Sequence, residues 1–456
     1  MVRGRISKRV KGLQKRWGEQ FEFGDRFFRL AAINVLSNLM VPLAGLIDTA
    51  FLGHLDDIRH LAGVALATIL FNYLYWTFGF LRMGTTGTTA QAVGRGDEAE
   101  VWLTGLRNGA IALTVGLLIL LFHVPLRELG FWILQADPAV KQAGRDYFNA
   151  QIWGAPAALL DFVLVGWFLG RERGRTVLVL SLINNSTNVL LNYWLIVQLG
   201  LASTGAGAAT ALSQYAMLLA GIFFVAREWN WGQIRAIAPH LLDPTALKAA
   251  FWLNSNIVIR TFALVTTFSI FTNLSSIMGT VVLAANTLML QIISFSAYFI
   301  DGIAFATENF AGLFWGQGER RKLVALTQLA GSSSLVLGVA IAALFIAIPR
   351  PLFGLLTRHD PVLETVAESV FWLIPVLGFG SIAYMLDGYF LGLTSGRILR
   401  NAALLSTLVG FLPLAAIAYH LQNPTLLWLA LSSFMVTRSL TLGSQLPTTL
   451  KETPQD

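Results

Sequence analysis

The stretch FFRLAAINVLSNLMVPLAGLIDTAFLGHL, residues 27–55, determines how the rest of the chain is interpreted. It is apolar and long enough to cross a bilayer, which requires about 20 residues of helix. It nevertheless contains Asp48, and a carboxylate at the centre of a membrane helix costs roughly 2.5–3.5 kcal/mol to insert. Burial favours the neutral form of a carboxylic acid. Asp48 is therefore a candidate for binding a proton or a cation, one at a time.

The composition indicates a polytopic membrane protein. Of 456 residues, 55% are hydrophobic and 12% are charged, whereas about 25% are charged in a typical soluble domain. The sequence has no cysteine and six scattered histidines, so we expect no disulfide, no metal site and no cofactor. The net charge of +7 fits cytoplasmic Lys and Arg better than a nucleic-acid partner, which we do not expect.

Hydropathy predicts an all-α fold with twelve transmembrane helices. The second and eighth are longer than one straight span requires, so each is expected to bend or to extend past the membrane surface. The predicted spans are 27–53, 62–92, 102–122, 147–170, 177–198, 205–226, 247–273, 280–315, 325–347, 365–392, 402–420 and 424–446.

The distribution of basic residues predicts the topology. With the amino terminus inside, 24 of the 32 Lys and Arg residues fall in cytoplasmic segments, six fall in outer loops, and Arg82 and Arg260 lie within spans. The positive-inside rule then predicts a multi-pass protein of the cell (inner) membrane with both termini cytoplasmic. Residues 1–26 are basic without an apolar core, which favours a segment lying on the anionic inner leaflet over a transit peptide.

The two halves of the chain repeat with an offset of 222 residues. The matching pairs are Leu61-Ala62 with Leu283-Ala284, Gly94-x-Gly96 with Gly316-x-Gly318, Phe168-Leu169-Gly170 with Phe390-Leu391-Gly392, and Gly174-Arg175 with Gly396-Arg397. We therefore predict two pseudo-symmetric six-helix lobes related by an axis along the membrane normal. Such lobes can rock about a central cleft in alternating access, and we expect a monomer.

The predicted domains follow from this repeat. An N-lobe at 27–226 and a C-lobe at 247–446 are joined by a cytoplasmic linker at 227–246. The basic segment 1–26 precedes them, and a cytoplasmic tail at 447–456 follows.

Other polar residues of the N-lobe could support Asp48. Asn184, Asn188 and Asn192 are spaced four apart, so they share one helical face and their amides could bond a neighbouring carboxylate. Polar contacts between helices are the alternative explanation. Pro42 removes a backbone donor six residues before Asp48, so the first helix can bend there. Arg82 and Asp161 are interpreted mainly as a structural or gating pair.

Charged residues of the C-lobe form a second candidate group. Asp301 and Glu308 are seven apart and lie on nearly one face of the eighth helix. Arg260 on the seventh helix is expected to neutralise Asp301 or Asp387, because an unpaired charge in lipid is untenable. A purely structural ion network is the favoured interpretation.

Four stretches stand out as motifs: VPLAGLIDTAFLGHL at 41–55, FLRMGTTGTTAQAVG at 80–94, NSNIVIRT at 254–261 and DGIAFATENFAG at 301–312. They resemble the motifs of the multidrug and toxic compound extrusion (MATE) family, specifically its DinF-like branch. The resemblance spans nearly all twelve helices and implies an efflux antiporter in which Asp48 couples transport to protons and Pro42 permits bending. Relatives often carry a second acid on helix 5, where this chain has Asn192, which puts a two-carboxylate cation site in doubt.

The leading hypothesis is a secondary active antiporter that exports amphiphilic or cationic organic compounds in exchange for protons. Its partners would be small organic substrates, protons and the lipid bilayer. Sodium coupling is less expected: the NorM-like branch uses C-lobe acids for sodium, and this chain has Asp387 but no acid in the helix 7 motif. A lipid-intermediate flippase is the other alternative, although only two intramembrane arginines are present for a pyrophosphate. An enzyme is not expected, because no Asp-x-x-x-Asp metal motif occurs.

Overall fold

The computed structural model describes residues 22–55, 57–134 and 136–450. Within these ranges it contains twelve long helical segments, which confirms the predicted all-α fold. The segments are α1 Gly24–Gly53, α2 Ile58–Arg95, α3 Glu98–Leu121, α4 Pro138–Gly170, α5 Gly174–Asn192, α6 Ala202–Ala226, α7 Pro244–Ile277, α8 Thr280–Gln317, α9 Arg320–Ala347, α10 Asp360–Gly392, α11 Gly396–Leu421 and α12 Pro424–Leu450.

Eleven of these helices in the described ranges are long and apolar enough to cross a membrane. The remaining one, α5, carries Asn184, Asn185, Asn188 and Asn192 within its 19 residues, and these amides lower its hydropathy. A six-residue π-helical turn, Tyr193–Gln198, extends α5 at its end. Most of the predicted basic segment 1–26 and of the tail 447–456 lies outside the described residues.

Two of the long helices show how the sequence sets local geometry. The second is interrupted for one residue at Gly79, whose amide bonds the Trp76 carbonyl at 3.2 Å, and a bend of this span stays a prediction. The first helix continues without interruption through Pro42, and bending at that residue stays a prediction. The first turn of α3 is capped by Asp97, whose carboxylate accepts the Glu100 amide at 3.0 Å.

The backbone reproduces the sequence repeat at the helix ends. Gly96 and Gly318 end α2 and α8 with φ of 70° and 75°, a left-handed conformation that favours glycine. In each case the amide of the following residue bonds a carbonyl five positions back, at 3.0 and 2.9 Å. This is the Schellman arrangement, which satisfies carbonyls left open at a helix end.

The helix packing repeats as well. A Cβ added at Gly166 of α4 would lie 2.5 Å from the Arg82 carbonyl oxygen of α2. A Cβ at Gly388 of α10 would lie 2.2 Å from the Ala304 carbonyl oxygen of α8. Both glycines and both carbonyls are 222 residues apart. The two pseudo-symmetric six-helix lobes predicted from the sequence thus share one mode of close helix contact.

The described residues divide into two compact units, one within 36–261 and the other formed by 22–35 together with 262–450. These limits differ from the predicted lobe boundaries, which stay a prediction. The first unit is packed around Phe71, whose ring centroid lies 5.0 Å from that of Phe148. In the second unit the Phe271 ring meets the fully buried Trp428 edge to face, with the ring centroids 4.9 Å apart.

Hydrogen bonds from Arg107 of α3 hold the segment that follows α6 against the first unit. A short helix, Trp231–Ile237, lies in this segment. The guanidinium of Arg107 donates to the carbonyls of His240 and Leu241, at 2.7 and 3.2 Å, and to Glu100 at 2.9 Å. The predicted linker is therefore an ordered, hydrogen-bonded part of its unit.

Candidate functional site

Asp48 lies at the junction of three helices of the first unit. Its side chain is buried, with 8% of the residue exposed. Asn192 of α5 donates an Nδ2 hydrogen to Asp48 Oδ1 at 2.5 Å. The Thr210 hydroxyl of α6 lies 3.4 Å from Asp48 Oδ2, and its one hydrogen is shared between this oxygen and the Ala206 carbonyl at 3.1 Å. Each carboxylate oxygen thus meets a neutral donor from a different helix.

The amides around Asp48 form a connected network. The second Nδ2 hydrogen of Asn192 goes to Asn188 Oδ1 at 3.1 Å, and Asn188 Nδ2 lies 3.3 Å from the Thr210 hydroxyl oxygen. Tyr147 of α4 lies beside the same group, with its ring packed edge to face on Phe71. The cluster fixes the orientation of the carboxylate through neutral groups alone.

The sequence places these donors through two local features. The π-helical turn Tyr193–Gln198 begins immediately after Asn192, and such turns often occur at functional sites. Thr210 follows the small-residue run Gly205-Ala206-Gly207 of α6, and a Cβ at Gly207 would lie 2.4 Å from the Tyr147 carbonyl oxygen. The glycine therefore lets α6 approach α4 closely enough to bring Thr210 to the carboxylate.

Asn184 does not join this network. Asn188 and Asn192 both lie in it, whereas the Asn184 Oδ1 atom is buried and accepts no hydrogen bond from the described residues. Asn184 is one turn away from Asn188 on the same face. Of the three predicted amides, Asn188 and Asn192 therefore lie at Asp48, and Asn184 lies further along the bundle.

The predicted pairing of Arg82 with Asp161 is wrong in the described structure. Asp161 of α4 is 5% exposed, and neither of its carboxylate oxygens accepts a hydrogen bond from a described residue. The backbone of Arg82 on α2 is closest to α4 at Gly166, where the Arg82 carbonyl makes the contact. This contact lies five residues beyond Asp161, which accounts for part of the missing pair.

The C-lobe charges have a partner that sequence reasoning missed. Asp387 of α10 forms an ion pair with Arg438 of α12, and both residues are buried. The Arg438 guanidinium also lies 5.5 Å from the ring centroid of Tyr384. The positive-inside count assigns Arg438 to the cytoplasm, although it stands within an apolar helix. The sequence signal for a buried Arg438 was its position between the runs FMVT and SLTL, inside a predicted span.

The other C-lobe acids lie on α8. Glu308 is fully buried, and its backbone carbonyl supports the close contact with Gly392. Asp301 is half-buried, two turns before Glu308. Arg260 is buried in the part of α7 that belongs to the first unit. Its pairing with Asp301 stays a prediction, and Asp387 already has a cation in Arg438.

The described residues contain no group of three or more His, Cys, Asp or Glu side chains arranged to hold a metal ion. What the Asp48 cluster offers is one carboxylate with neutral donors. Such a site can carry a proton, or it can accept a cation when the proton leaves.

Comparisons with known proteins agree with this architecture. The family model described as MatE matches twice, at residues 34–194 and 257–417, in agreement with the internal repeat. The DNA damage-inducible protein F of Escherichia coli (strain K12) is 31% identical over 91% of this chain and 90% of its own length. A probable multidrug resistance protein NorM of Synechococcus sp. is 27% identical over 80% of this chain and 79% of its own.

Solved structures confirm the fold. A crystal structure of MATE in the bent conformation superposes with a TM-score of 0.84 at 18% identity, covering 93% of this chain and 95% of that one. A MOP superfamily transporter from Pyrococcus furiosus gives a TM-score of 0.81 at 18% identity, covering 93% and 96%. The two family-model matches and the similarity to the Escherichia coli protein decide the family: the chain belongs to the MatE family, whose members are integral membrane transporters.

Proposed function

We propose that this transporter exports amphiphilic or cationic organic compounds in exchange for protons, with Asp48 as the coupling residue. The observation that carries the proposal is the burial of Asp48 among neutral donors from α5 and α6. Relatives named for multidrug resistance support the substrate class, among them the multidrug resistance protein MdtK of Yersinia pestis, 26% identical over 75% of this chain. MatE proteins are transporters and not enzymes.

The hydrogen bonds suggest how one carboxylate could serve two ligands. When Asp48 is charged, the bonds from Asn192 and Thr210 are charge-assisted and hold α1 against α5 and α6. A proton entering from outside removes that charge and weakens both bonds, and α1 is then free to move about Pro42. The substrate leaves in this state, and loss of the proton to the cytoplasm resets the site.

Coupling in this scheme belongs to one half of the molecule. At the 222-residue offset Asp48 corresponds to Ile270 of α7, which cannot bind a proton. The buried Asp387–Arg438 pair would act in the C-lobe as a structural element. We further propose that the protein works as a monomer in the inner membrane with both termini cytoplasmic, as the basic residues predict.

Transport by purified protein in liposomes tests the proposal. A pH gradient without sodium should drive accumulation of a fluorescent organic cation, and a sodium gradient alone should not. Asp48→Asn should reduce pH-driven transport to the protein-free background. Asp25→Asn should leave it unchanged, because Asp25 is an exposed acid on the same helix that pairs with Arg29. Coupled transport that persists in Asp48→Asn would defeat the assignment, and transport driven only by sodium would favour the sodium-coupled alternative.

A further inference from the structure

The interior of the first unit contains a second buried carboxylate, which the coupling scheme does not use. Asp161 is 5% exposed and lies nine residues before the end of α4 at Gly170, so about 14 Å from that end at 1.5 Å per residue. Among the described residues no cation pairs with it and no donor reaches either oxygen. A buried carboxylate in this condition is costly when charged.

The helices around Asp161 present further acceptors. Leu164, one turn beyond Asp161, packs against Gly221 of α6, so Asp161 lies on the side of α4 that faces α6. The helix α5 begins at Gly174, next to the end of α4. Asn184 lies ten residues further along α5, so it is about 15 Å from the same end of the bundle as Asp161. Its Oδ1 atom is buried and accepts no hydrogen bond from the described residues. The helices α4, α5 and α6 pack against one another.

The series of acceptors continues towards Asp48. The Gln214 Oε1 atom of α6 is buried without a hydrogen bond from a described residue, and it occupies the space left by Gly154 of α4. Gln214 is one turn along α6 from Thr210, which bonds Asp48. The Tyr75 hydroxyl faces Gln214. Gln214 thus faces a neutral hydroxyl, whereas no described residue donates to Asp161 or to Asn184 Oδ1.

We propose that Asp161, together with Asn184 at a similar depth in the bundle, recognises the cationic group of the substrate. We further propose that this group carries N–H bonds. A primary or secondary ammonium, or a guanidinium, would supply both the positive charge that Asp161 lacks and the donors that the surrounding oxygens lack. A quaternary ammonium of similar shape would supply the charge alone and leave the acceptors unsatisfied. The inference rests on the proposed export of organic cations and specifies which cations the site takes.

Binding measured without any ion gradient tests this proposal. The probes are 4-phenylbutylammonium and its N,N,N-trimethyl derivative, titrated calorimetrically into the purified full-length protein in detergent. Both carry one charge, and the trimethyl ion is the more apolar of the two. Wild-type protein should bind the N–H ion on the order of tenfold more tightly, the value of about one charge-assisted hydrogen bond. Asp161→Asn should reduce the difference to about twofold or less.

Two further variants keep the test decisive. Asp146→Asn changes an acid of the same helix that accepts a hydrogen bond from Gln142 near the surface, and it should keep the preference. Asn184→Leu removes an acceptor without removing a charge, and it should lower the preference about threefold even if Asp161→Asn fails to fold. Equal affinity of the wild type for both ions, no binding of either ion, or an unchanged preference in Asp161→Asn and Asn184→Leu would overturn the proposal.

The outcomes also separate this inference from the coupling role of Asp48. Asp48→Asn should retain the preference for the N–H ion in the binding assay while losing pH-driven transport. If Asp48→Asn still transports and Asp161→Asn loses the preference, the coupling assignment fails and the recognition site stands.

Discussion

Asn192 Nδ2 donates to Asp48 Oδ1 at 2.5 Å, which joins α5 to α1 across 144 residues of sequence. The same amide nitrogen also reaches Asn188 Oδ1 at 3.1 Å. Because the amide uses both hydrogens, its orientation and that of the carboxylate determine each other. Asn192 is therefore a positioning residue for Asp48.

Replacing Asn192 with Leu should impair coupling without unfolding the protein. The charged carboxylate would lose a hydrogen bond of about 1.5–3 kcal/mol, so fewer protons should be released when substrate binds. The measurement is the proton release per substrate bound, followed with a pH-sensitive dye in weakly buffered detergent solution. Asn192→Asp restores polarity with a second acid and should increase the release. Equal proton release in wild type and Asn192→Leu would show that the bond has no part in coupling.

The buried pair of the C-lobe predicts a strong non-additive effect on stability. Arg438→Met or Asp387→Leu alone leaves a buried charge without its ion-pair partner, which typically costs about 3–5 kcal/mol. The double variant Asp387→Leu with Arg438→Met removes both charges and should recover most of that loss. Thermal unfolding in detergent measures the three proteins against wild type. Additive losses in the double variant would contradict a pair that stabilises only by mutual neutralisation.

The repeated glycine contacts predict matched effects in the two halves. Gly166→Ala and Gly388→Ala each place a methyl group 2.5 and 2.2 Å from a backbone carbonyl oxygen that cannot move easily. Each should destabilise the protein by about 1–3 kcal/mol. Gly443→Ala on α12 meets nothing within 4 Å and should be neutral or slightly stabilising. A melting temperature unchanged in both Gly166→Ala and Gly388→Ala would show that these contacts relax freely.

Much of the architecture was predictable from the sequence. The repeat at 222 residues and the apolar runs predicted twelve helices in two related halves. Helical spacing placed Asn184, Asn188 and Asn192 on one face, and of these Asn188 and Asn192 lie in the Asp48 network. Thr210 was not predicted, because a single threonine in a small-residue helix has no spacing pattern that relates it to a carboxylate on another helix. Its role depends on the close approach of α6 at Gly207.

The charges that were mispredicted share one physical cause. To place Arg438 and Asp161 correctly, one must know which helix faces pack against each other. Hydropathy gives only the depth of a residue along its own helix. Arg438 is buried against Asp387 on α10, whereas Asp161 has no ion pair with a described residue. The sequence suggested Arg82 as the partner of Asp161, and it placed Arg438 in the cytoplasm without a partner.

In the proposed mechanism, Asp48 binds the proton that drives export. The most direct test of this role is proton transport into liposomes that hold the purified protein, measured with a trapped pH dye when an organic cation is added. Wild type and Asp25→Asn should show substrate-dependent proton movement in the direction opposite to the cation. Asp48→Asn should show none while retaining the wild-type melting temperature. Substrate-dependent proton movement at the wild-type rate in Asp48→Asn would contradict the mechanism.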